Sequence, residues 1–309
     1  MLSAAGAAAI AMFGASPPAA AQVPAVTGVV NPPAGAETDT TLKVTDSIYI
    51  AVVGGQNLVV SVGDDGLLVS DDQDEPLVPR VRDQLAKISN RPVRYVVNSH
   101  WHFDHVGGNA AFAAGGAVTI AHENTRLRML TEQYNPISDR RQRAFPAEFL
   151  PKLTFSESLT LHINGDDVVL RHMPAAHTDA DVSIYFRGAN VLALNDLYFI
   201  DENYPGMEVQ SGANIDGLIA AYDSALAAID DNTIVIPARG RLSNKAEVAE
   251  FRNILVTVRE RVAAMVREGK SEAEVVAARP TREFDAKWNR EQRRADNFVK
   301  AIYYTLKNE

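Results

Sequence analysis

Asn98-Ser99-His100-Trp101-His102-Phe103-Asp104-His105-Val106-Gly107-Gly108-Asn109 is the segment from which the rest of this chain can be read. An apolar run, Pro92-Val93-Arg94-Tyr95-Val96-Val97, precedes it and reads as a buried strand, and small residues able to start a helix follow it. Three imidazoles and a carboxylate between His100 and His105 make a poor core and a poor solvated loop, but a good metal site. In an extended segment side chains alternate, so His100 and His102 point the same way and can grip one ion through neutral ring nitrogens. Asp104 and His105 follow where the chain turns, and can meet a second ion or a water on the first.

The flanking sequence supplies an α/β framework. Thr41–Val53 and Leu58–Val62 read as strands, Gly63-Asp64-Asp65-Gly66 as a hairpin turn and Leu67-Leu68-Val69 as the returning strand, ending in Asp71-Asp72. Val78, Val81, Leu85 and Ile88 recur at helical spacing until Asn90-Arg91-Pro92 stops the helix. Ala117–His122 is another strand, and His122 reads as a structural histidine. Arg126–Phe145 is rich in arginine and reads as a solvated helix and loop that can wall a pocket. Leu159–Ile163 and Val168–Met173 form a hairpin about Asn164-Gly165-Asp166, with His162 and His172 inside its strands and assigned to structure. Pro174-Ala175-Ala176-His177-Thr178-Asp179-Ala180-Asp181 follows as a loop after a strand, with Asp179 or Asp181 placed to accept an imidazole N–H. Val182–Phe186, Val191–Asp196 and Thr233–Pro237 complete the strands, with a helix marked by Leu218, Tyr222, Leu226 and Ile229 before the last.

The motif with Gly107-Gly108 behind it resembles that of the metallo-β-lactamase superfamily, and the resemblance covers most of the chain after about residue 40. It implies an αββα sandwich with the metal site at one edge, where loops after several strands converge. By that resemblance His177 is the third ligand of a first zinc ion with His100 and His102, leaving a fourth position open. Asp104, His105 and Asp196 are implied at a second ion, Asp196 bridging the two. Class B β-lactamases carry Cys or Ser where Asp196 stands, which points away from dedicated β-lactam chemistry. The family usually places Gly before this Asp, whereas here it is Asn195. It also usually reads Gly-His-Gly where this chain reads Ala238-Arg239-Gly240, and all 7 histidines lie upstream. Arginine carries donors only and cannot coordinate zinc. Arg239 therefore either forks onto Asp196 or Asp104 in place of the second ion, or swings out to bind a substrate carboxylate. The expectation is one tightly bound zinc and weakened or absent binding of a second.

Composition narrows the partners. A net charge of −9 and a pI near 5.3 argue against a general nucleic-acid or anionic-membrane binder. The absence of Cys removes disulfides, thiolate ligands and a cysteine nucleophile, so any metal rests on N and O ligands, which suits zinc. Residues 1–21 are Ala-rich, with an apolar stretch from Ala7 to Phe13 and an Ala19-x-Ala21 signal-peptidase pattern before Gln22, though no Lys or Arg precedes that stretch. They read as a signal peptide, giving a periplasmic or secreted protein, and residues 22–40 read as a linker. The apolar stretch is too short for a membrane span. The resemblance places a metallo-β-lactamase-like domain at 41–243, leaving 244–309 as a helical extension packed on it. Asn244-x-x-Glu247 and Ser271-x-x-Glu274 open its helices, and Phe298, Ile302 and Leu306 mark a closing one.

The function these features imply is a zinc-dependent hydrolase acting on a small molecule. Hydroxide held by His100, His102 and His177 attacks an ester, lactone, thioester or amide carbonyl, and Asp104 orients it and relays its proton. Arg239 or His105 meets the charge on the intermediate. Two rivals stand: a phosphodiesterase or nuclease of the same superfamily, and a metal-stabilised binding protein that has lost turnover.

Overall fold

The computed structural model describes residues 39–307. The expected signal peptide and nearly all of the expected linker lie outside the described residues. Strands β1 (Thr40–Lys43), β2 (Ile48–Val53), β3 (Gln56–Gly63) and β4 (Gly66–Ser70) form an antiparallel meander. The β3–β4 hairpin turns on Asp64-Asp65, and Gly66 at φ +106° takes a backbone conformation that other residues resist. Helix α1 (Val78–Ile88) leads back to β5 (Val93–Val97), parallel to β4. The short α2 (Phe103–Val106) and α3 (Asn109–Ala114) precede β6 (Val118–His122), parallel to β5. Next come α4 (Glu123–Met129), the small hairpin β7 (Gln133–Asn135) and β8 (Arg140–Gln142), and β9 (Leu153–Phe155). The first sheet has the order β1-β2-β3-β4-β5-β6-β9.

The second sheet stands in chain order: β10 (Ser158–Ile163), β11 (Asp166–Met173), β12 (Asp181–Phe186), β13 (Val191–Phe199), β14 (Ile234–Arg239) and β15 (Ser243–Asn244). Helix α5 (Ile215–Ala228) makes the crossover between the parallel pair β13 and β14. Then follow α6 (Lys245–Arg267), α7 (Glu272–Ala277), α8 (Arg282–Trp288) and α9 (Gln292–Lys307). No helix among the described residues is long and apolar enough to cross a membrane.

Residue alternation explains the layers. On β3, Leu58 and Val60 face α1 and α3, where Val81, Leu85 and Phe112 cover them. Val59 faces the other way and meets Leu170, Ile184 and Ile236 of the second sheet. Both faces are therefore dry, and β3 is buried nearly end to end instead of alternating with solvent. The far face of the second sheet carries Leu192, Leu194 and Val235 against Tyr222, Phe251, Trp288 and Ile302 of the helices. This is an αββα sandwich, helices outside and two mixed sheets within.

Four local stretches differ from expectation. The run Thr41–Val53 is broken, because the N–H groups of Val44 and Thr45 both donate to the Ile48 carbonyl (2.8 and 3.0 Å) and turn the chain. Arg126–Phe145 is not a solvated helix and loop: it holds the end of α4 and the β7–β8 hairpin. Gln142 pins that hairpin over the motif, donating to the Trp101 carbonyl (2.8 Å) and accepting the Phe103 N–H (2.9 Å). At the start of α6, Asn244 caps the Glu247 N–H (3.1 Å), but Glu247 turns its carboxylate to Arg241 and Ser243 instead of closing a box. Helix α8, carrying the buried Trp288, has no counterpart in the sequence reading.

Candidate metal centre

The strand ends at one edge of the sandwich bring the imidazoles together. After β5 the chain bends through His100 and His102, and His102 starts α2, which carries Asp104 and His105. The loop between β11 and β12 brings His177, and β13 brings Asp196. Ligand atoms of His100, His102, His177 and Asp196 all lie within 4.8 Å of one another. The motif's return into α3 needs Gly107 and Gly108. A Cβ on the first would lie 2.6 Å from the Glu75 nitrogen, and one on the second 2.7 Å from the Asp72 carbonyl.

The hydrogen bonds on the outer nitrogens fix what the inner ones can be. His177 Nδ1 donates to the Gly206 carbonyl (2.7 Å) and His102 Nε2 donates to the Glu208 carboxylate (3.1 Å). Their other nitrogens, His177 Nε2 and His102 Nδ1, then carry lone pairs when neutral, yet face each other at 3.2 Å. His100 Nε2 joins them, 2.8 Å from His102 Nδ1. Bonds of ~2.0–2.1 Å to a tetrahedral zinc put ligand nitrogens about 3.3 Å apart, so the spacing fits one ion. Burial lowers the pKa of His100 well below the usual imidazole value, and the neighbouring imidazoles add to it. Burial likewise lowers that of His102 against the pull of Glu208. Neutral rings are the form that binds a metal.

Beside this cluster lies a second group. His105 Nδ1 is 2.9 Å from an Asp71 carboxylate oxygen, which in turn accepts from Ser99. His105 Nε2 is buried without a hydrogen-bond partner among the described residues, 3.4 Å from Asp196 and 3.7 Å from Asp104. Burial alone would lower the His105 pKa, but Asp71, Asp196 and Asp104 hold it well above the ordinary value. A proton or a metal ion answers the same field. Burial likewise opposes ionisation of Asp196, and His105, His177 and Arg239 overcome it and hold its pKa down. Arg239 and Arg140 each place a guanidinium nitrogen 3.6 Å from Asp104, and Arg239 also donates to the Gly54 carbonyl (3.1 Å). Asn57 of β3 anchors the Arg239 segment, donating to the carbonyls of Pro237 and Gly240 (both 3.0 Å).

All seven candidate residues, His100, His102, Asp104, His105, His177, Asp196 and Arg239, thus meet at one edge. The expected role of Asp179 or Asp181 toward an imidazole N–H is not what is found. Asp181 accepts the backbone N–H of His177 (2.7 Å) and Thr178 (2.8 Å), while Asp179 pairs with Arg128 (2.8 Å). Glu208 and the Gly206 carbonyl hold the rings instead, and Asp71 holds His105. Their sequence signals are slight: Asp71 ends a strand, and Glu208 sits in an irregular loop far along the chain. His122 and His172 stack on each other (3.6 Å) away from the site, and His162 pairs with Asp167 (2.7 Å) near the surface.

A cavity of about 570 Å³ opens over the cluster, reaching His102, His177, Asp196, Glu208 and Arg239. That is room for a small molecule.

The profile of the Metallo-beta-lactamase superfamily matches residues 47–237. Among solved structures, a metallo-beta-lactamase from Pontibacter korlensis superposes with a TM-score of 0.59 at 17% identity, over 71% of this chain and 99% of that one. The stereoselective inverting sec-alkylsulfatase Pisa1 from Pseudomonas sp. gives a TM-score of 0.64 at 16% identity, over 86% of this chain and 50% of that one. The chain thus spans about half the length of the alkylsulfatase. DIM-1 metallo-beta-lactamase gives 0.55 at 17%, over 74% and 99%. At such identities the likeness speaks for the fold. With the profile match and the His/Asp cluster, the chain belongs to the metallo-β-lactamase superfamily and is a metal-dependent hydrolase of that fold.

Proposed function

We propose that the chain hydrolyses an ester, lactone, thioester or amide, holding one zinc ion on His100, His102 and His177 beside Asp196, with a coordination position left for water. The observation that carries this reading is the convergence of imidazole nitrogens whose outer partners leave only lone pairs inward. Zinc bound there would lower the pKa of water from 15.7 toward ~7 and polarise the substrate carbonyl.

The chain's own residues do the rest. Glu208 and the Gly206 carbonyl fix ring orientation by accepting N–H protons. Asp104 accepts a proton from the attacking water and returns it to the departing oxygen, sulfur or nitrogen as the acyl bond breaks. Burial and the nearby Asp196 charge oppose ionisation of Asp104, but His105, His102 and Arg140 hold its pKa low, so it is ionised. Arg140 and Arg239 flank it. Arg239 also stands where the family's last histidine would be. It brings a fixed charge and no lone pair, and so takes the place of a second ion. The same guanidiniums can meet negative charge building on the carbonyl oxygen.

A second reading, hydrolysis of a sulfate ester, is favoured by the likeness to a sec-alkylsulfatase and by the arginines on the cavity wall. The test is turnover by zinc-loaded protein of 4-nitrophenyl esters, a lactone, 4-nitrophenyl sulfate and bis-4-nitrophenyl phosphate. Carboxylic-ester or lactone hydrolysis that falls about 100-fold or more in kcat in Asp104→Ala, with KM little changed, is expected. Turnover of the sulfate or phosphodiester alone would replace the carbonyl reading.

A further inference from the structure

The cavity over the metal cluster is built in part by a helix outside the matched family region. Arg293, Asn297 and Ala301 of α9 lie four residues apart, hence on one face, and all three line the cavity with Arg294 and Phe298. Phe298 stacks on Tyr204 (centroids 5.0 Å, planes 9° apart), so the helix is fastened to the loop that carries Gly206 and Glu208. Phe199, Tyr204, Met207 and Phe298 give the cavity an apolar lining.

The charge on that wall is lopsided. In a chain of net charge −9, the described residues that line the cavity include five arginines (Arg140, Arg141, Arg239, Arg293 and Arg294) against three carboxylates and no lysine. Each of those carboxylates is already engaged. Asp196 belongs to the metal cluster, Glu208 holds His102, and Asp139 accepts from Tyr134 (3.1 Å). Arg293 and Arg294 share one carboxylate, Glu291, at 3.2 and 3.6 Å. Two forks on a single acid leave N–H donors over. Arg140 is occupied elsewhere: its one Nη without a hydrogen-bond partner among the described residues faces the Asp104 carboxylate at 3.6 Å, and its guanidinium lies over the Phe103 ring (4.3 Å). The His/Asp cluster at one end, the apolar lining and surplus guanidinium donors on α9 describe one kind of guest.

We propose that the substrate carries a carboxylate remote from the scissile bond, separated from it by an apolar body, and that Arg293 and Arg294 of α9 receive that carboxylate. This deepens the hydrolase reading and rests on it for the position of the scissile group. Guanidinium forks match carboxylates in a bidentate way, and an exposed site makes the effect modest and salt-sensitive.

The test uses two parallel arms on zinc-loaded, full-length protein. In the first, calorimetry compares binding of succinate, adipate and sebacate with monocarboxylates of the same chain length. Either set can place one carboxylate at the zinc, and only the diacids can also reach α9. At least one diacid should bind about tenfold tighter than its monoacid, and the preference should vanish in Arg293→Ala/Arg294→Ala but persist in Arg267→Ala, an exposed control. In the second, mono-4-nitrophenyl adipate and 4-nitrophenyl hexanoate are compared as substrates, and the ratio of their kcat/KM values should fall by about tenfold in the double variant. Equal binding of every diacid and its monoacid, or a preference that survives the double variant, overturns the proposal even if both esters are hydrolysed. A diacid preference lost in the double variant, without turnover of either ester or of the lactone, upholds the carboxylate site on α9 and overturns the carbonyl-hydrolase reading instead.

Discussion

Glu208 shows how a residue far from the motif sets its chemistry. Its carboxylate is buried, which opposes ionisation, yet the hydrogen bond from His102 outweighs this and brings its pKa down to about 2. It stays charged, holds His102 Nε2–H, and leaves Nδ1 free to bind a metal. Glu208→Gln keeps the shape and weakens the acceptor, so zinc affinity in competition with a chromophoric chelator should fall about 10–100-fold. Unchanged affinity would remove Glu208 from this role. Asn195 makes a different point: it sits at φ +46° between residues that must face the core and the metal. Gly is the residue such a backbone favours, and Asn is among the few others that tolerate it. Asn195→Gly should leave stability nearly unchanged, while Asn195→Val should cost about 1–2 kcal/mol in urea unfolding. The motif histidines are legible in the sequence because they fall together in a short run of chain after a strand. His177, Asp196 and the Arg239 departure are legible only through resemblance. Glu208 is not legible, because nothing in its irregular loop says it folds back 106 residues onto His102.

Among the elements, the meeting of β6 and β11 leaves a mark in pH. His122 and His172 stack at 3.6 Å, each donating to a carbonyl, of Ser156 (2.7 Å) and Asp179 (2.9 Å). Burial lowers both pKa values, the closeness of His172 adds to the effect on His122, and Glu123 and Asp179 pull only partly the other way. Both folded values lie below the unfolded one, so on acidification the unfolded chain takes up protons first. Stability from this pair is therefore present above the ordinary imidazole pKa and lost as pH falls through it. The urea midpoint of the wild type should drop between about pH 7.5 and about pH 5.5, and His172→Gln should drop less. An equal drop would show that the pair does not contribute. Strand and helix positions are readable from periodicity. The β7–β8 hairpin is not, because its residues are polar and its strands are held by Gln142 contacts to the motif instead of by a core. Its expected place as a pocket wall does hold, since Arg140 and Arg141 line the cavity.

Across the whole molecule, the site exists because two sheets bring separate strand ends to one edge. The αββα arrangement followed from resemblance, since periodicity alone gives a mixed α/β domain. The parallel pairing of β13 with β14, which delivers Asp196 and Arg239 together, depends on the α5 crossover and a shifted register that local sequence does not encode. Among the C-terminal helices α6, α7 and α9 are legible in the sequence and α8 is not, nor is the part α9 plays in walling the cavity. A stripe that packs on a core and a stripe that also presents arginines to a pocket look alike until the chain is folded.

The proposal that three imidazoles beside Asp196 hold one zinc, with Arg239 in the place of another, is the one on which the rest depends. Zinc content per chain of protein purified without chelator, read together with the zinc X-ray absorption spectrum, probes it without intermediaries. The expected result is about one zinc per chain, coordinated by nitrogen and oxygen at ~2.0–2.1 Å with no zinc–zinc scattering, and a rise toward two in Arg239→His. Two tightly bound zincs in the wild type, or none retained with His100, His102 and His177 intact, would rule that arrangement out.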